Sequence, residues 1–282
     1  MRVIKETRQM FRLTEALRRQ GTTIGFVPTM GALHDGHCAL IRAARRQSRT
    51  VVVSIFVNPL QFGPREDFTR YPRDLTRDMH LAKAAGCDVV FAPDASQIYP
   101  SGFCTSVEVA GLGDRFEGAA RPGHFRGVAT VVAKLLTIVH PTDAWFGQKD
   151  YQQAAIIQRM VLDLKVPSTI RIMPTVREAD GLAMSSRNVY LTPEQRAQAP
   201  ALYRALSWGK RHILDGERHA ARVEAGMRRM VQEQPLLDPD YLAVADAKRL
   251  EPMSAIRGRA VLLGAVRVGT TRLIDNVLVD VP

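Results

Sequence analysis

The sequence predicts an α/β protein. A doubly wound parallel sheet is expected over residues 1–176, and a smaller C-terminal α+β domain over residues 177–282. Three observations carry this. Apolar strand-like runs alternate with helical periodicity through the first part. The run Thr50-Val51-Val52-Val53-Ser54-Ile55-Phe56-Val57 is almost continuously apolar, as a strand covered on both faces should be. Beyond residue 190 the order changes to two helical patterns followed by strands.

The elements follow in order. Residues 23–27 read as a strand and 37–47 as the helix after it, and the strand at 50–57 comes next. Residues 74–85 form a helix stopped by Gly86, and 88–91 a further strand. After a Gly- and Pro-rich stretch, Phe125, Val128, Val131, Val132, Leu135 and Val139 recur at helical spacing. Residues 144–146 are a short strand, 151–164 a helix and 169–176 a strand. Thr192-Pro193-Glu194-Gln195 has the composition of a helix start: Thr to cap, Pro at the first helical position, Gln three residues after the cap. One long helix should run from it to about Leu214, with a second at 220–232. Strands at 241–244, 260–268 and 272–279 complete the chain, the last two joined by a hairpin at Gly269-Thr270.

At 282 residues, 46% hydrophobic and 24% charged, the chain has the composition of an ordered globular protein. Its longest apolar stretch, residues 128–139, is interrupted by Lys134 and is too short to cross a bilayer. Charges occupy the first residues, where a secretory signal would need an apolar block, so a cytoplasmic protein is expected. Cys38, Cys87 and Cys104 lie far apart without a CxxC spacing, which argues against a zinc site or a disulfide framework. The net charge of +11 suits an RNA-binding module or an enzyme that draws in polyanionic substrates. The basic residues are scattered, with no block of five or six and no aromatic interleaving, which favours the enzyme and small-molecule partners over nucleic acid.

The chemistry-bearing segments fall after strands. His34-Asp35-Gly36-His37 places two histidines at the mouth of a helix, whose unpaired N–H groups suit an anion such as phosphate. Gly31 and Gly36 would let the backbone approach a ligand. In Gly147-Gln148-Lys149-Asp150, Lys149 can meet a phosphate as a point charge, and Asp150 can bind ribose hydroxyls or cap the next helix. Met184-Ser185-Ser186-Arg187 puts two hydroxyls beside a guanidinium, a polyphosphate grip or a polar linker. Asn58-Pro59-Leu60-Gln61-Phe62 and Gln152-Gln153 set neutral amides beside apolar groups, as a small polar organic substrate would require. Arg121-Pro122-Gly123-His124-Phe125-Arg126-Gly127 is either an active-site wall or the start of a helix.

In order and spacing, PTMGALHDGH, SIFVNPLQF, YPRD, FAPD, IYP, RPGHFRGVAT, FGQKDYQQ, DGLAMSSRN and RLIDN closely resemble the pantothenate synthetase (pantoate–β-alanine ligase) family, nearly end to end. Its HDGH and MSSR look like versions of the HIGH and KMSKS signatures of class I aminoacyl-tRNA synthetase-like nucleotidyltransferases. The resemblance implies a Rossmann-like sheet and a two-step reaction. The pantoate carboxylate attacks the α-phosphorus of ATP, giving pantoyl adenylate and pyrophosphate. The amine of β-alanine then displaces AMP to give pantothenate. No protein nucleophile is needed, so positioning and charge stabilisation should carry catalysis.

By the same resemblance, Met30, Gly31, Ala32, Leu33, His34, Asp35, Gly36 and His37 would hold ATP. So would Gly147, Gln148, Lys149 and Asp150, the backbone of Val176, and Met184, Ser185, Ser186 and Arg187, the last four closing over the phosphates. His37, His34 and Lys149 would be catalytic, with His37 either moving a proton or steadying charge on the phosphates. Gln61 and Gln153 would bind pantoate, and Gln61 would also lie near β-alanine. Magnesium would ride mainly on ATP phosphates, with no dedicated protein metal site, and a homodimer is implied. Two departures stand out. Gln148 occupies a position where the family commonly has Glu. Arg77-Asp78 replaces two adjacent acidic residues, leaving Asp78 alone as an outer contact for magnesium.

Overall fold

Six parallel strands build the first sheet: β1 (Arg2–Ile4), β2 (Ile24–Thr29), β3 (Thr50–Ile55), β4 (Val89–Phe91), β5 (Asp143–Gly147) and β6 (Thr169–Met173). Their order is β1-β4-β3-β2-β5-β6. From β2 the chain winds outward to β3 and β4, then returns to the other side of β2 to lay down β5 and β6. The reversal therefore lies between β2 and β5, and an open parallel sheet binds ligands beyond its strand ends at such a point. The doubly wound sheet expected from the alternating pattern is present.

The connecting helices are α1 (Thr7–Arg19), α2 (Asp35–Gln47), α3 (Leu75–Ala84), the single turns α4 (Ala95–Ile98) and α5 (Glu117–Ala120), α6 (His124–Val139) and α7 (Tyr151–Asp163). Successive strand residues point to opposite faces, and both faces are covered. Phe26 and Val52 pack with Phe91, Leu136 and Ile156 in one cluster. Their neighbours Val27 and Val53 pack with Leu33, Ile41 and Val90 in another. This accounts for the continuous apolar run at β3.

Two elements precede those expected from the sequence, β1 and α1. A strand of three residues, two of them exposed, carries little pattern, but Met10, Leu13 and Leu17 do give α1 a helical stripe. Two strands are shorter than expected. β3 stops at Ile55, ahead of the tight turn Pro59–Gln61. β6 stops at Met173 because Pro174 has no N–H for the ladder.

The second sheet is antiparallel, in order β7-β8-β9, with β7 (Leu237–Asp246), β8 (Gly258–Val268) and β9 (Thr271–Val281). Val268 pairs with Thr271, so Gly269-Thr270 is the expected two-residue hairpin turn. Helices α8 (Pro193–Gln198), α9 (Ala201–Leu214) and α10 (Ala220–Gln232) belong with this sheet. Leu202, Leu206, Met227, Val244, Leu262 and Val266 form the core between them. The single helix expected from Thr192 to about Leu214 is broken into α8 and α9 by Pro200, which can neither donate to the preceding turn nor fit behind it. Its start is as expected, with Thr192 and Gln195 forming a capping box.

The computed structural model describes residues 1–64 and 66–281. The chain divides into two compact units, Met1–Gly147 with Gln152–Pro174, and Gln148–Tyr151 with Thr175–Pro282. The short piece Gln148–Tyr151 is tied into the second unit by side-chain bonds, among them Tyr151 Oη donating to Ala247 O at 2.6 Å. Among the described residues no helix is long and apolar enough to cross a membrane.

Candidate active site

In the first unit the site begins where β2 ends. Thr29 Oγ1 donates to Ser54 O at 2.7 Å and accepts the Gly31 N–H at 3.1 Å, which turns the chain sharply off the sheet. Gly31 (φ +86°) and Ala32 (φ +50°) both lie in the left-handed region. Glycine adopts it freely, whereas alanine must be held there. Asp78 does the holding: it accepts the N–H of Ala32 at 2.9 Å and of Leu33 at 2.7 Å. Arg77 donates to the Leu33 carbonyl at 3.2 Å, a bond that an acidic residue at this position could not make. Asp78 is 1% exposed. Burial pushes its carboxyl above the ordinary aspartate range, opposed by those two amides and by Arg77. Asp78 serves as a backbone clamp for this turn.

The histidine pair then opens α2 as a reciprocal capping box. Gly36 N–H donates to His34 Nδ1 at 3.1 Å, and His34 N–H donates to His37 Nδ1 at 3.3 Å. The rings lie 4.1 Å apart. Because each Nδ1 accepts, each neutral ring carries its proton on Nε2. Gly31 lies in the left-handed region, whereas Gly36 is a first-turn residue of α2. His34, Gly36 and His37 are half-buried, Leu33 is buried and Asp35 is exposed.

Gln61 follows β3 and is buried. Its amide is oriented from both ends: Asn58 Nδ2 donates to Gln61 Oε1 at 3.1 Å, and Gln61 Nε2 reaches Met30 Sδ at 3.0 Å. Asn58 is itself fixed, donating to Gly127 O at 3.1 Å and accepting from Tyr99 Oη at 2.7 Å. The segment 121–127 both starts α6 and holds Gln61 by its backbone. His124 Nδ1 donates to Gln61 O at 2.8 Å, and Arg121 Nη2 donates to the same oxygen at 3.3 Å. Arg121 also grips Glu66 through two bonds of 2.7 and 2.6 Å and donates to His124 Nε2 at 3.1 Å. Burial, with the Arg121 charge, pulls the His124 pKa down to about 4, so the ring is neutral with its proton on Nδ1. Burial would raise the Glu66 carboxyl, but Arg121 outweighs it and holds Glu66 below the ordinary range.

On the other side of β2, Gly147 ends β5, and Gln153 lies half-buried in the first turn of α7. Its neighbour Gln152 is a structural residue, bonded to Leu112 O, Arg115 O and the Glu117 N–H.

In the second unit, Lys149 and Asp150 form an ion pair at 3.4 Å. Val176 and Met184 are joined by the Met184 N–H donating to Val176 O at 3.0 Å. Ser185 Oγ accepts the Arg187 N–H at 3.3 Å, starting a short turn over Ser186–Tyr190. The loop carrying these residues is pinned by Arg196, which binds Glu178 at 2.5 Å and Asp180 at 2.6 Å. Arg177 grips both oxygens of Asp275 at 2.6 and 3.0 Å and stacks on Tyr203.

Within the first unit the fold thus brings Met30 to Gln61, and within the second Val176 to Met184 and Lys149 to Asp150. Sequence reasoning missed the clamp by Asp78 and the roles of Glu66 and Tyr99. Their partners are distant in sequence, although YPRD and IYP drew attention to their neighbourhoods. Among the described residues no group of three His, Cys, Asp or Glu side chains could hold a metal ion.

A family model described as pantoate-beta-alanine ligase matches residues 2–278. The chain is 58% identical over 266 residues to a pantothenate synthetase of Moorella thermoacetica, covering 94% of each chain. Its fold matches the crystal structure of pantothenate synthetase from Thermus thermophilus with a TM-score of 0.93 and 48% identity, over 98% of this chain and 99% of that one. It also matches a pantoate-beta-alanine ligase from Francisella tularensis complexed with Beta-gamma ATP and Beta-alanine, with a TM-score of 0.79 and 34% identity over 99% and 97%. The chain belongs to the pantoate–β-alanine ligase family, and its activity is pantothenate formation.

Proposed function

We propose that the chain joins (R)-pantoate to β-alanine through a pantoyl adenylate, with ATP as the second substrate and AMP and pyrophosphate as the other products. The observation that carries this is the histidine capping box beyond β2, beside the crossover point of the sheet. Two imidazoles with Nε2 protons, backed by a helix N-terminus, offer donors for phosphate oxygens. The Francisella relative's ligands support ATP and β-alanine as ligands here.

In this reading the segment from Met30 to His37 binds ATP, and His34 and His37 stabilise the charge that develops as pyrophosphate leaves. The capping bonds favour that role for His37 over proton transfer, because a proton added at Nδ1 would break the bond to His34 N–H. Gln61, its amide set by Asn58, meets pantoate from one side of β2, and Gln153 from the other. The attacking carboxylate displaces pyrophosphate from the α-phosphorus; the amine of β-alanine then attacks the acyl carbon, and AMP departs with the bridging oxygen.

Gly147, Gln148, Lys149, Asp150, Val176 and the segment from Met184 to Arg187 are assigned to nucleotide in the same reading. Residues 1–176 would bind ATP and pantoate, and 177–282 would act as a lid. Magnesium would be carried on ATP phosphates, whose charge it would neutralise. Cytoplasmic location and a homodimer complete the proposal on family resemblance.

Isotope transfer tests it. Pantoate labelled with ¹⁸O in its carboxylate should deliver one labelled oxygen to AMP. Label appearing in inorganic phosphate, or absent from AMP, would overturn the adenylate route.

A further inference from the structure

Asn276 lies on β9, far in sequence from Lys149, and its side chain is committed to the turn that carries Lys149. Its Nδ2 donates to Gln148 O at 2.8 Å and to Lys149 O at 2.9 Å. Its Oδ1 accepts from Gln148 Nε2 at 3.2 Å. Asn276 is 2% exposed, so these bonds form away from water, where an unmet carbonyl is costly. The residue before it, Asp275, grips Arg177, which directly follows Val176. Two consecutive residues of one strand thus hold two of the segments assigned to nucleotide.

From this geometry, and resting on the assignment of Lys149 to a nucleotide phosphate, we infer that Asn276 is a positioning residue that acts through Lys149. It is paired with Gln148 in a reciprocal amide contact. An amide fits position 148 because its side chain donates to Asn276 Oδ1, while the main-chain carbonyl of the same residue accepts from Asn276 Nδ2. A glutamate there would set a carboxylate against that same oxygen.

A double-mutant cycle on pantothenate formation tests this, with kcat/KM measured for ATP and for pantoate. N276D keeps shape and the acceptor but removes both donated bonds. It should lower kcat/KM for ATP by about tenfold, with KM for pantoate within about twofold of wild type. Q148M, which removes only the side-chain donor, should lose less. In a K149A background N276D should add less than about twofold. Should N276D lose the native near-ultraviolet circular dichroism, N276S replaces it in the same cycle. Effects of N276D and K149A that multiply, or an N276D enzyme with wild-type ATP kinetics beside an impaired K149A, would overturn the role of Asn276. Wild-type ATP kinetics in K149A would instead overturn the assignment of Lys149.

Discussion

The carboxylate of Asp78 accepts the Leu33 N–H at 2.7 Å and, through its second oxygen, the Ala32 N–H at 2.9 Å. It thereby holds the left-handed turn from which His34 begins α2. Asp78→Asn removes one acceptor and turns an N–H₂ group toward a backbone N–H. Stability should fall by about 1–3 kcal/mol, read from urea unfolding midpoints. The turnover rate should fall on the order of tenfold, because the turn aims the histidine pair. A variant with unchanged stability and turnover would show that the clamp is dispensable.

Gly127 sits in α6 against the turn that carries Gln61. A Cβ there would lie 2.2 Å from Leu60 O and 2.8 Å from Gln61 N, both backbone atoms that cannot swing away. Gly127→Ala should cost about 2–4 kcal/mol of stability and raise KM for pantoate more than KM for ATP. Thermal unfolding and steady-state kinetics read the two effects separately.

His124 gives stability an acid limb. Its folded pKa of about 4 lies below the ordinary 6.5, so between those values the unfolded chain binds more protons than the folded one. Stability from this group is present above about pH 6.5 and is lost as pH falls toward 4, by roughly 2–3 kcal/mol in all. In His124→Asn, where Asn keeps a donor toward Gln61 O, the loss across this window should be smaller. Equal pH slopes for the two proteins would contradict the assignment. Glu66, held low by Arg121, contributes its own loss only at more acid pH.

The sheet was legible because burial on both faces forces continuous apolar strands, and packing forces helical spacing between them. Pro174 and Pro200 marked the true ends of β6 and α8, yet a sustained apolar pattern reads past a single proline. The histidines, Lys149 and the glutamines were legible as motifs. What holds them was not. Asp78 and Leu33 are 45 residues apart, His124 and Gln61 are 63 apart, and Gln148 and Asn276 are 128 apart. Such pairs carry no local spacing and become neighbours only when the sheets form. The capping role of His34 and His37 is a middle case: the spacing of a capping box was visible, but histidine is an unusual residue to fill it.

The central claim is that the histidine pair beyond β2 supports adenylation of pantoate. Exchange of labelled pyrophosphate into ATP, measured with pantoate present and β-alanine absent, tests it most directly. Wild-type protein should catalyse pantoate-dependent exchange, and His37→Ala should slow it by more than about tenfold while keeping its fold. Absence of exchange in a preparation that forms pantothenate once β-alanine is added, or unchanged exchange in His37→Ala, would contradict the account.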